Sequence, residues 1–369
     1  MDVLIIGGGA SGIVCAIRLK QNNPAIGVTV LEHLDEACKK IHATGNGRCN
    51  ITNKNADGFE TTASFFQSLG LLLRESGEGR MYPYSNQAAS VVGVLLEACE
   101  KYGVTLVTDC HIKKAEKLDG QFNVFTDKGV FTADNLVLAT GGMAQSALGS
   151  DGSGYALAKA FGHSVTELSP ALVQLKSSSK NCRVLKGVRA KCCVKIETNG
   201  DIVGEDYGEL LFTEYGISGI VTMNLSEKIS DRRLKSGEDR CHAIIDFVPE
   251  ISEEALVSHF ETFGNFDGIL PHKLCAVLQR QTDGDGVKTA QYIKHWKLII
   301  TGTKGYDYAQ ITKGGVPLGE LKEGGESALC DGLYIIGELT DRQFHCGGFN
   351  LDAAFNSGIA AADRIVRTK

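Results

Sequence analysis

The first twelve residues constrain the fold more than any other part of this chain. Val3-Leu4-Ile5-Ile6 is a continuous apolar run, and it leads directly into Gly7-Gly8-Gly9-Ala10-Ser11-Gly12. A strand that is apolar at every position is typical of a parallel sheet buried on both faces. The segment from Ala10 to Leu19 has an apolar stripe with helical spacing, and Pro24 ends it. A strand, a tight turn and a helix therefore open the chain, which predicts an α/β fold.

The glycine spacing matches the G-x-G-x-x-G turn that binds the pyrophosphate of a dinucleotide. Gly7 makes the tight turn, Gly9 lets a phosphate approach the backbone, and Gly12 allows close packing of helix and strand. The next strand, Val28 to Leu31, ends at Glu32, where a carboxylate can accept hydrogen bonds from ribose hydroxyls. An ordinary glycine-rich turn is the alternative, and the strand, helix and acid together disfavour it. The sequence thus predicts a Rossmann-like dinucleotide-binding domain.

Composition limits the partners of this domain. The chain of 369 residues is long enough for two or three compact units, and its 38 basic and 44 acidic residues give a net charge of −6. This balance gives no electrostatic footprint for nucleic acid or anionic lipid. No apolar run approaches the roughly 18 residues of a membrane span. We expect a cytoplasmic protein that binds a small-molecule substrate, neither nucleic acid nor membrane; its oligomeric state is left open.

The cysteines do not predict a metal site. The twelve cysteines include no Cys-x-x-Cys pair, and none has a zinc-like spacing to histidine. The cluster Asp283-Gly284-Asp285-Gly286 lacks the remaining ligand positions of a calcium loop, so we interpret it as a solvated turn. Most of the cysteines are expected to be buried apolar residues.

Two later segments favour FAD over NAD as the dinucleotide. Asp134 to Ala139 is a second buried strand, and it ends in Thr140-Gly141-Gly142, whose small residues let this turn lie close to the first one. Near the C-terminus, the strand from Gly332 runs into Gly337-Glu338, followed by Asp341 and by Gly347-Gly348-Phe349-Asn350 at the start of a helix. Flavoproteins with two dinucleotide-binding domains have an Ala-Thr-Gly-Gly turn like that of residues 139–142. We expect the N-terminus of this last helix to face a flavin.

The segment Thr44-Gly45-Asn46-Gly47-Arg48-Cys49-Asn50-Ile51-Thr52-Asn53 makes the comparison specific. It resembles the signature of the BaiN-like, aminoacetone-oxidase-like family of bacterial NAD(P)/FAD-dependent oxidoreductases. Further blocks that resemble this family follow in the family's order along nearly the whole chain: Gly152-Ser153-Gly154-Tyr155, Gly162-His163, Pro170-Ala171-Leu172, Gly208 to Thr213, Gly216-Ile217-Ser218-Gly219, Lys313-Gly314-Gly315-Val316 and Gly337 to Asn350.

The resemblance implies a three-part fold. A Rossmann-like FAD domain of the two-dinucleotide-binding-domain flavoprotein type, built from both chain ends, would comprise residues 1–168 and 312–369. A β-rich, barrel-like domain would comprise 169–225 and 297–311, and a small helical insertion 226–296. The insertion is shorter than the family leads us to expect, so substrate size can differ from that of its members.

The motifs and the resemblance together assign noncovalent FAD binding to a defined set of residues. These are Gly7, Gly9, Ala10, Ser11, Gly12, Glu32, His33, Lys40, Thr44, Gly45, Asn46, Gly47, Arg48, Cys49, Ile112, Ala139, Thr140, Gly141, Gly142, Gly337, Glu338, Asp341, Gly348, Phe349, Asn350 and Leu351. The role of Arg48 is open between binding a phosphate or substrate oxygen and fixing its own loop.

Other patterns predict the remaining elements. Three short alternating segments between Ile112 and Thr132 indicate an antiparallel meander. Strands at Cys192 to Thr198 and Gly208 to Thr213 flank Asn199-Gly200-Asp201, which favours a hairpin or short loop. Helices are predicted from Ser252, a capping residue, to Phe263 and from Pro271 to Arg280.

Three side chains are candidates for catalysis. Cys49 and Cys346 lie in segments that the resemblance places near the flavin, where they could contact it or pair as a redox dithiol, although buried cysteines usually only pack. His345 could donate a proton at neutral pH. Arg342-Gln343-Phe344-His345 departs from the family, which has a small glycine-containing turn there, so a relative's substrate does not transfer directly.

These features favour an FAD-dependent oxidoreductase. The leading hypothesis is a reductase that takes hydride from NADH or NADPH and reduces a conjugated C=C bond, for example in a steroid-like unsaturated ketone. Because the chain has no second independent G-x-G-x-x-G domain, the nicotinamide would bind only transiently. An amine or aminoketone oxidase that produces peroxide, and a flavin redox sensor without turnover, are the alternatives.

Overall fold

The computed structural model describes residues 1–367 and divides into two compact units. The first comprises Met1–Leu168 and the C-terminal part of the chain from Ile311, and the second comprises Ser169–Gln310. Strands in chain order are β1 (Asp2–Ile6), β2 (Gly27–Leu31), β3 (Thr52–Asn53), β4 (Leu73–Glu75), β5 (Arg80–Pro83), β6 (Thr105–Val107), β7 (Ile112–Leu118), β8 (Gln121–Thr126), β9 (Gly129–Ala133), β10 (Asn135–Leu138), β11 (Ser169–Ala171), β12 (Leu175–Ser177), β13 (Arg189–Thr198), β14 (Asp201–Thr213), β15 (Gly216–Ser218), β16 (Cys241–Asp246), β17 (Trp296–Thr303), β18 (Ile311–Lys313) and β19 (Leu333–Ile335).

The α-helices are distributed over both units. They are α1 (Ala10–Asn22), α2 (Lys39–Ala43), α3 (Phe59–Ser68), α4 (Ala88–Tyr102), α5 (Ser153–Ala160), α6 (Lys180–Val184), α7 (Ile220–Leu225), α8 (Asp231–Ser236), α9 (Glu253–Phe263), α10 (His272–Gln281), α11 (Gly286–His295) and α12 (Phe349–Arg367). None of the helices in this described part of the chain has the length and apolarity that crossing a bilayer requires.

A five-stranded parallel sheet forms the centre of the first unit. Its strand order is β19-β10-β1-β2-β6, and every pair is parallel. The carboxyl ends of β1, β2, β10 and β19 therefore meet at one edge, which is where open α/β sheets bind ligands. The Rossmann-like α/β prediction is confirmed.

Helices α1 and α12 hold the two ends of the chain together. A Cβ atom on Gly358 would lie 2.3 Å from the carbonyl oxygen of Ser11, so α12 approaches the α1 backbone more closely than any side chain would allow. At the far end of the pair, the Arg18 Nε donates to Asp363 Oδ1 at 2.7 Å, and the Asn22 amide donates to the same oxygen at 2.7 Å. The C-terminal strand and helix are thus part of the N-terminal domain.

The predicted meander is also confirmed in the first unit. Strands β7, β8 and β9 form an antiparallel sheet in that order. Phe122 and Val124 of β8 are fully buried, and they lie in the same apolar cluster as Leu136 and Leu138 of the central sheet.

The second unit is built around a closed barrel with the strand order β12-β15-β14-β13-β16-β17. Phe212, Phe247 and Trp296 pack together inside it, with ring centroids 5.6 to 6.3 Å apart. Strands β13 and β14 form the predicted hairpin, and its two-residue turn has Asn199 and Gly200 at positive φ. The barrel-like prediction is confirmed.

The range that we predicted to be helical contains one strand that the sequence reasoning missed. Strand β16 lies inside 226–296, pairs with β13 and β17, and buries Cys241, Ala243 and Ile245 on alternate positions. The predicted helices are present as α9 and α10, and the Ser252 hydroxyl caps α9 by accepting from the Ala255 N–H at 3.2 Å. The helices share one apolar core with the barrel, and the division of 169–310 into two domains stays a prediction.

The close contact between α1 and α12 predicts opposite effects for two glycine substitutions. Gly358→Ala should destabilise the protein by about 1–3 kcal/mol, because the added methyl group must push the helices apart. Gly93→Ala in α4 is the matched control, since no atom lies within 4 Å of its Cβ position. It should stabilise the protein by about 0.5–1 kcal/mol. Urea denaturation measures both, and equal stability of the two variants would contradict this packing.

Candidate functional site

The glycine turn between β1 and α1 is shaped by contacts that exclude side chains. Gly7 has φ +108, and a Cβ atom there would lie 2.4 Å from the Ala139 carbonyl oxygen. A Cβ on Gly12 would lie 2.0 Å from the Gly7 carbonyl oxygen. The turns after β1 and β10 therefore touch through their backbones, as the sequence predicts for this pair.

Gly9 differs from these two glycines because its Cβ position is open. No atom lies within 4 Å of that position, and Gly9 has an extended backbone conformation that alanine tolerates. Gly9 caps α1 without any side-chain hydrogen bond, so the first N–H groups of the helix have no capping acceptor. The turn thus leaves an open space beside Gly9, which we call the Gly9 cradle. A Cβ atom would fill this space, and the N–H groups at the start of α1 make it suitable for a phosphate.

The Glu32 carboxylate lies beside this cradle and is only 7% exposed. One oxygen accepts from the Gly8 N–H at 2.8 Å and the other from the Leu34 N–H at 2.9 Å. Burial raises the pKa of Glu32, but hydrogen bonds from His33 and from these two N–H groups outweigh it and lower the pKa overall. The pKa of His33 is raised, chiefly by its hydrogen bond to Glu32. Glu32 is therefore an ionised, oriented acceptor at neutral pH.

A polar network joins three of the predicted binding segments. The Lys40 ammonium contacts Glu338 Oε2 at 2.9 Å and Ser150 Oγ at 3.4 Å. The other Glu338 oxygen accepts from the Thr312 N–H at 2.9 Å. The Thr312 hydroxyl in turn accepts from the Met143 N–H at 2.7 Å, directly after Gly141-Gly142. The sequence reasoning missed Thr312 and Ser150, because no local pattern indicates contacts between segments so far apart.

Gly337 and His33 extend the edges of this site. A Cβ on Gly337 would lie 2.4 Å from the Ser11 hydroxyl, which places the end of β19 against the start of α1. The His33 ring lies beside Gly149, 3.5 Å from its Cβ position.

Two further predicted residues pack against apolar cores. Ile112, at the start of β7, is half-buried beside the apolar cluster of the meander. Leu351 packs partly buried on the core that contains α1.

The segment from Thr44 to Cys49 forms a compact turn with an unusual backbone. Gly45, Asn46, Gly47 and Cys49 all have positive φ, between +56 and +81. The Arg48 Nε donates to the Gly45 carbonyl at 3.2 Å, and its guanidinium lies 4.8 Å from the centre of the Tyr82 ring. Of the two roles left open for Arg48, these contacts favour fixing the loop.

Cys49 is fully buried, and burial raises the pKa of its thiol to about 12, although a hydrogen bond with Thr44 acts in the opposite direction. Its thiol is therefore protonated at neutral pH and is a poor nucleophile. Cys346 is partly buried, and His345 is exposed. All the described cysteines are free thiols in this structure.

The start of α12 organises the last predicted segment. Asn350 Oδ1 accepts from the Phe344 N–H at 2.9 Å, and the Asn350 amide donates to the Phe344 carbonyl at 2.8 Å. A Cβ on Gly348 would lie 2.7 Å from the Thr52 carbonyl oxygen. Asp341 accepts from the Thr166 hydroxyl at 2.8 Å. Phe349 is partly buried at the first position of the helix.

Asp352, one turn further into α12, is a buried carboxyl group that the sequence reasoning missed. It accepts from the hydroxyls of Thr52 at 2.6 Å and Thr62 at 2.7 Å. Burial raises its pKa, and these hydrogen bonds only partly compensate. An acid in the first turn of a helix is a visible sequence signal, but its burial is not. The network fixes α12 to the Thr52–Asn53 strand and to α3.

Two buried oxygens in these segments have no hydrogen-bond partner among the described residues: Thr140 Oγ1, after β10, and Asn50 Oδ1, after the Thr44–Cys49 turn. The Asn50 oxygen lies 2.9 Å from the Cβ position of Gly348, beside the start of α12. Buried polar atoms are normally paired, so each leaves an acceptor for a hydroxyl or ring N–H. The open Gly9 cradle, ionised Glu32 and the Asn50 oxygen fit a dinucleotide that carries a polar ring system.

Comparisons with known proteins agree with this geometry. Residues 1–62 and 58–364 match the model of the HI0933-like protein Rossmann domain. The chain is 36% identical to the 3-dehydro-bile acid delta(4,6)-reductase of Clostridium scindens, over 98% of both chains. It is 27% identical to the ribosomal RNA dihydrouridine synthase of Escherichia coli, over 100% of this chain and 98% of the relative.

Solved structures are similar in fold alone. The 3-ketosteroid delta1-dehydrogenase of Sterolibacterium denitrificans, solved with 1,4-androstadiene-3,17-dione, has a TM-score of 0.56 at 12% identity, covering 100% of this chain and 99% of that one. The open conformation of a flavocytochrome c3 fumarate reductase has a TM-score of 0.53 at 14% identity, covering 99% of this chain and 78% of that one.

The fold, the cradle and these comparisons define an FAD-dependent oxidoreductase. The chain belongs to the HI0933-like protein Rossmann domain family. The resemblance that the Thr44–Asn53 segment carries is thereby confirmed.

The open cradle at Gly9 predicts a variant that folds but loses FAD. Gly9→Ala should weaken FAD binding by more than roughly tenfold, because its methyl group would occupy the space of the phosphate. Its unfolding temperature without FAD should stay close to that of the wild type, since alanine tolerates this backbone. Gly268→Ala, at an equally open glycine of the second unit, is the control. If Gly9→Ala binds as much FAD as the wild type, the Gly9 cradle is not part of the cofactor site.

We predict that substitution of Glu32 weakens FAD binding and changes how stability depends on pH. Glu32→Gln should weaken FAD binding about tenfold or more, because an NH2 donor replaces one of the two acceptor oxygens and the negative charge is lost. The folded-state pKa of Glu32 lies below its unfolded value, so its contribution to stability is present above the unfolded value and is lost as the pH falls through the folded one. Thermal unfolding of wild type and variant should therefore differ at pH 7 and converge in acid. Glu36→Gln, at an exposed neighbour, should change neither property.

Proposed function

We propose that this protein uses NADH or NADPH to reduce a C=C bond conjugated with a carbonyl group, in a steroid-like or other unsaturated ketone. The observation that carries the proposal is the whole-length similarity to the 3-dehydro-bile acid delta(4,6)-reductase. That name describes double bonds at positions 4 and 6 of a molecule with a ketone at position 3, which is a conjugated arrangement. When bound, the flavin supplies hydride transfer through its N5 atom.

The protein's own contribution is to bind and orient the two dinucleotide halves. The Gly9 cradle would hold the pyrophosphate and Glu32 the ribose of the noncovalently bound FAD. The Lys40–Glu338–Thr312 network would fix the turns after β10 and β19 relative to each other. Because Asn350 holds the loop before α12 by three hydrogen bonds, the surface beside the flavin would be rigid before substrate arrives.

The chemistry beside the flavin requires one proton donor, and two side chains are candidates. His345 is exposed on the loop before α12 and can exchange protons with water. Cys49 is the weaker candidate, since its thiol is buried and its pKa is raised to about 12. We therefore propose His345 or solvent, rather than Cys49, as the proton source.

A second candidate substrate follows from the ribosomal RNA dihydrouridine synthase of Escherichia coli. Dihydrouridine forms by saturation of the C5–C6 bond of uracil, which is conjugated with the C4 carbonyl, so both reactions reduce the same kind of bond. The net charge of −6 favours the small ketone, because an RNA-binding surface normally carries excess positive charge. A uridine-containing RNA therefore belongs in the test as a competing substrate.

The test is anaerobic stopped-flow absorbance of the purified FAD protein. NADH or NADPH should bleach the flavin within the mixing experiment, and an unsaturated 3-ketosteroid should restore its absorbance with formation of the saturated ketone. Failure of both nicotinamides to bleach the flavin would refute the proposal.

Three other outcomes separate the competing functions. Recovery with RNA and not with the steroid would select the dihydrouridine reaction. Bleaching by amines, with peroxide release in air, would select the oxidase. A flavin that is reduced but reoxidised by neither acceptor would favour the sensor. Gly268→Ala is the control for FAD that is lost during purification, because its open Cβ position lies outside the predicted FAD-binding segments.

A further inference from the structure

The Arg342–His345 loop, which departs from the family pattern, is fixed at both ends. The Arg342 N–H donates to the Thr340 carbonyl at 2.8 Å. The Gln343 amide donates to Asp341 Oδ1 at 3.0 Å. Asn350 then holds the Phe344 backbone through both its N–H and its carbonyl. The loop is therefore a defined part of the surface, and its side chains project from fixed positions.

The guanidinium of Arg342 is the unusual group on this loop. It is exposed and lies 5.3 Å from the centre of the Phe344 ring. The neighbouring Asp341 carboxylate accepts from neutral donors, the Gln343 amide on one oxygen and the Thr166 hydroxyl on the other. Within residues 1–367, Arg342 takes part in no ion pair. A positioned cation without a counterion is thus present beside the helix that would face the flavin.

We propose that Arg342 binds a carboxylate of the substrate, so that the preferred substrate is an acidic unsaturated ketone. This inference rests on the proposed function and names the substrate class of that site. An arginine fork matches a carboxylate with two parallel hydrogen bonds. The Phe344 ring beneath it offers an apolar face to the hydrocarbon skeleton, and together the two side chains suit an amphipathic acid.

The same two side chains suit a polyanion poorly. Nucleic-acid binding depends on several phosphate contacts from clustered basic residues. Here one arginine is stacked on one ring, and the chain as a whole carries a net charge of −6. A single carboxylate on an otherwise apolar molecule matches this arrangement better.

The test compares binding of an acid and its ester to the oxidised FAD protein, so that turnover is not needed. The probes are 3-oxo-4-cholenoic acid and its methyl ester, titrated by the change in flavin absorbance. The wild type should bind the acid about tenfold more tightly than the ester, as expected for a hydrogen-bonded charge pair. Raising the salt concentration should reduce this preference.

Arg342→Gln should weaken binding of the acid about tenfold and leave binding of the ester unchanged. Arg74→Gln is the matched control, because Arg74 also lies over an aromatic ring, 5.7 Å from the centre of Tyr84. It should retain the preference for the acid.

Equal binding of acid and ester by the wild type would overturn the role of Arg342, and so would an equal loss of both ligands in Arg342→Gln. The proposed function stands in either case if the ester still reoxidises the reduced flavin. If neither NADH nor NADPH bleaches the flavin, the proposed function itself fails. A preference for the acid that Arg342→Gln leaves intact would place the carboxylate contact elsewhere and would also overturn the proposal.

Discussion

The close approach of α12 to α1 is the contact on which the candidate cofactor site depends. Gly358 lets α12 lie against the Ser11 carbonyl, and the central sheet consequently receives β19 from the C-terminal end of the chain. The carboxyl ends of β1, β10 and β19 then converge on one edge. Together with the ion pair between Lys40 and Glu338, this helix contact fixes Glu338 and Asn350 relative to the Gly9 cradle. A backbone contact between helices thus helps to position the candidate site.

The sequence predicted those parts of the fold that local patterns encode. Apolar runs followed by glycine gave the strands at Val3 and Leu136, and the spacing to Glu32 gave the second strand and its acid. Asn199-Gly200 gave the barrel hairpin because both positions require positive φ. In each case the physical reason lies within about twenty residues of chain, where side-chain spacing and backbone conformation can be judged from the sequence.

The features that the sequence did not predict depend on contacts between segments that are far apart in the chain. Lys40 and Glu338 are separated by 298 positions, and nothing local indicates that they form an ion pair. The pKa of Cys49 is raised by burial, which its sequence neighbours do not determine. Strand β16 was missed because its alternation of Cys241, Ala243 and Ile245 is short, and the expectation of a helical insertion overrode it. Tertiary burial decides such segments more than local propensity does.

The glycine turn after β1 and the Arg342–His345 loop are constrained in different ways. Gly7 and Gly12 admit no side chain, because a Cβ atom on either would overlap a backbone oxygen. The Arg342–His345 loop is instead held by hydrogen bonds to its backbone, chiefly from Asn350, and these hold whatever side chains the loop carries. The side chains of Arg342 and Phe344 can therefore change without disturbing the backbone contacts at Gly7 and Gly12.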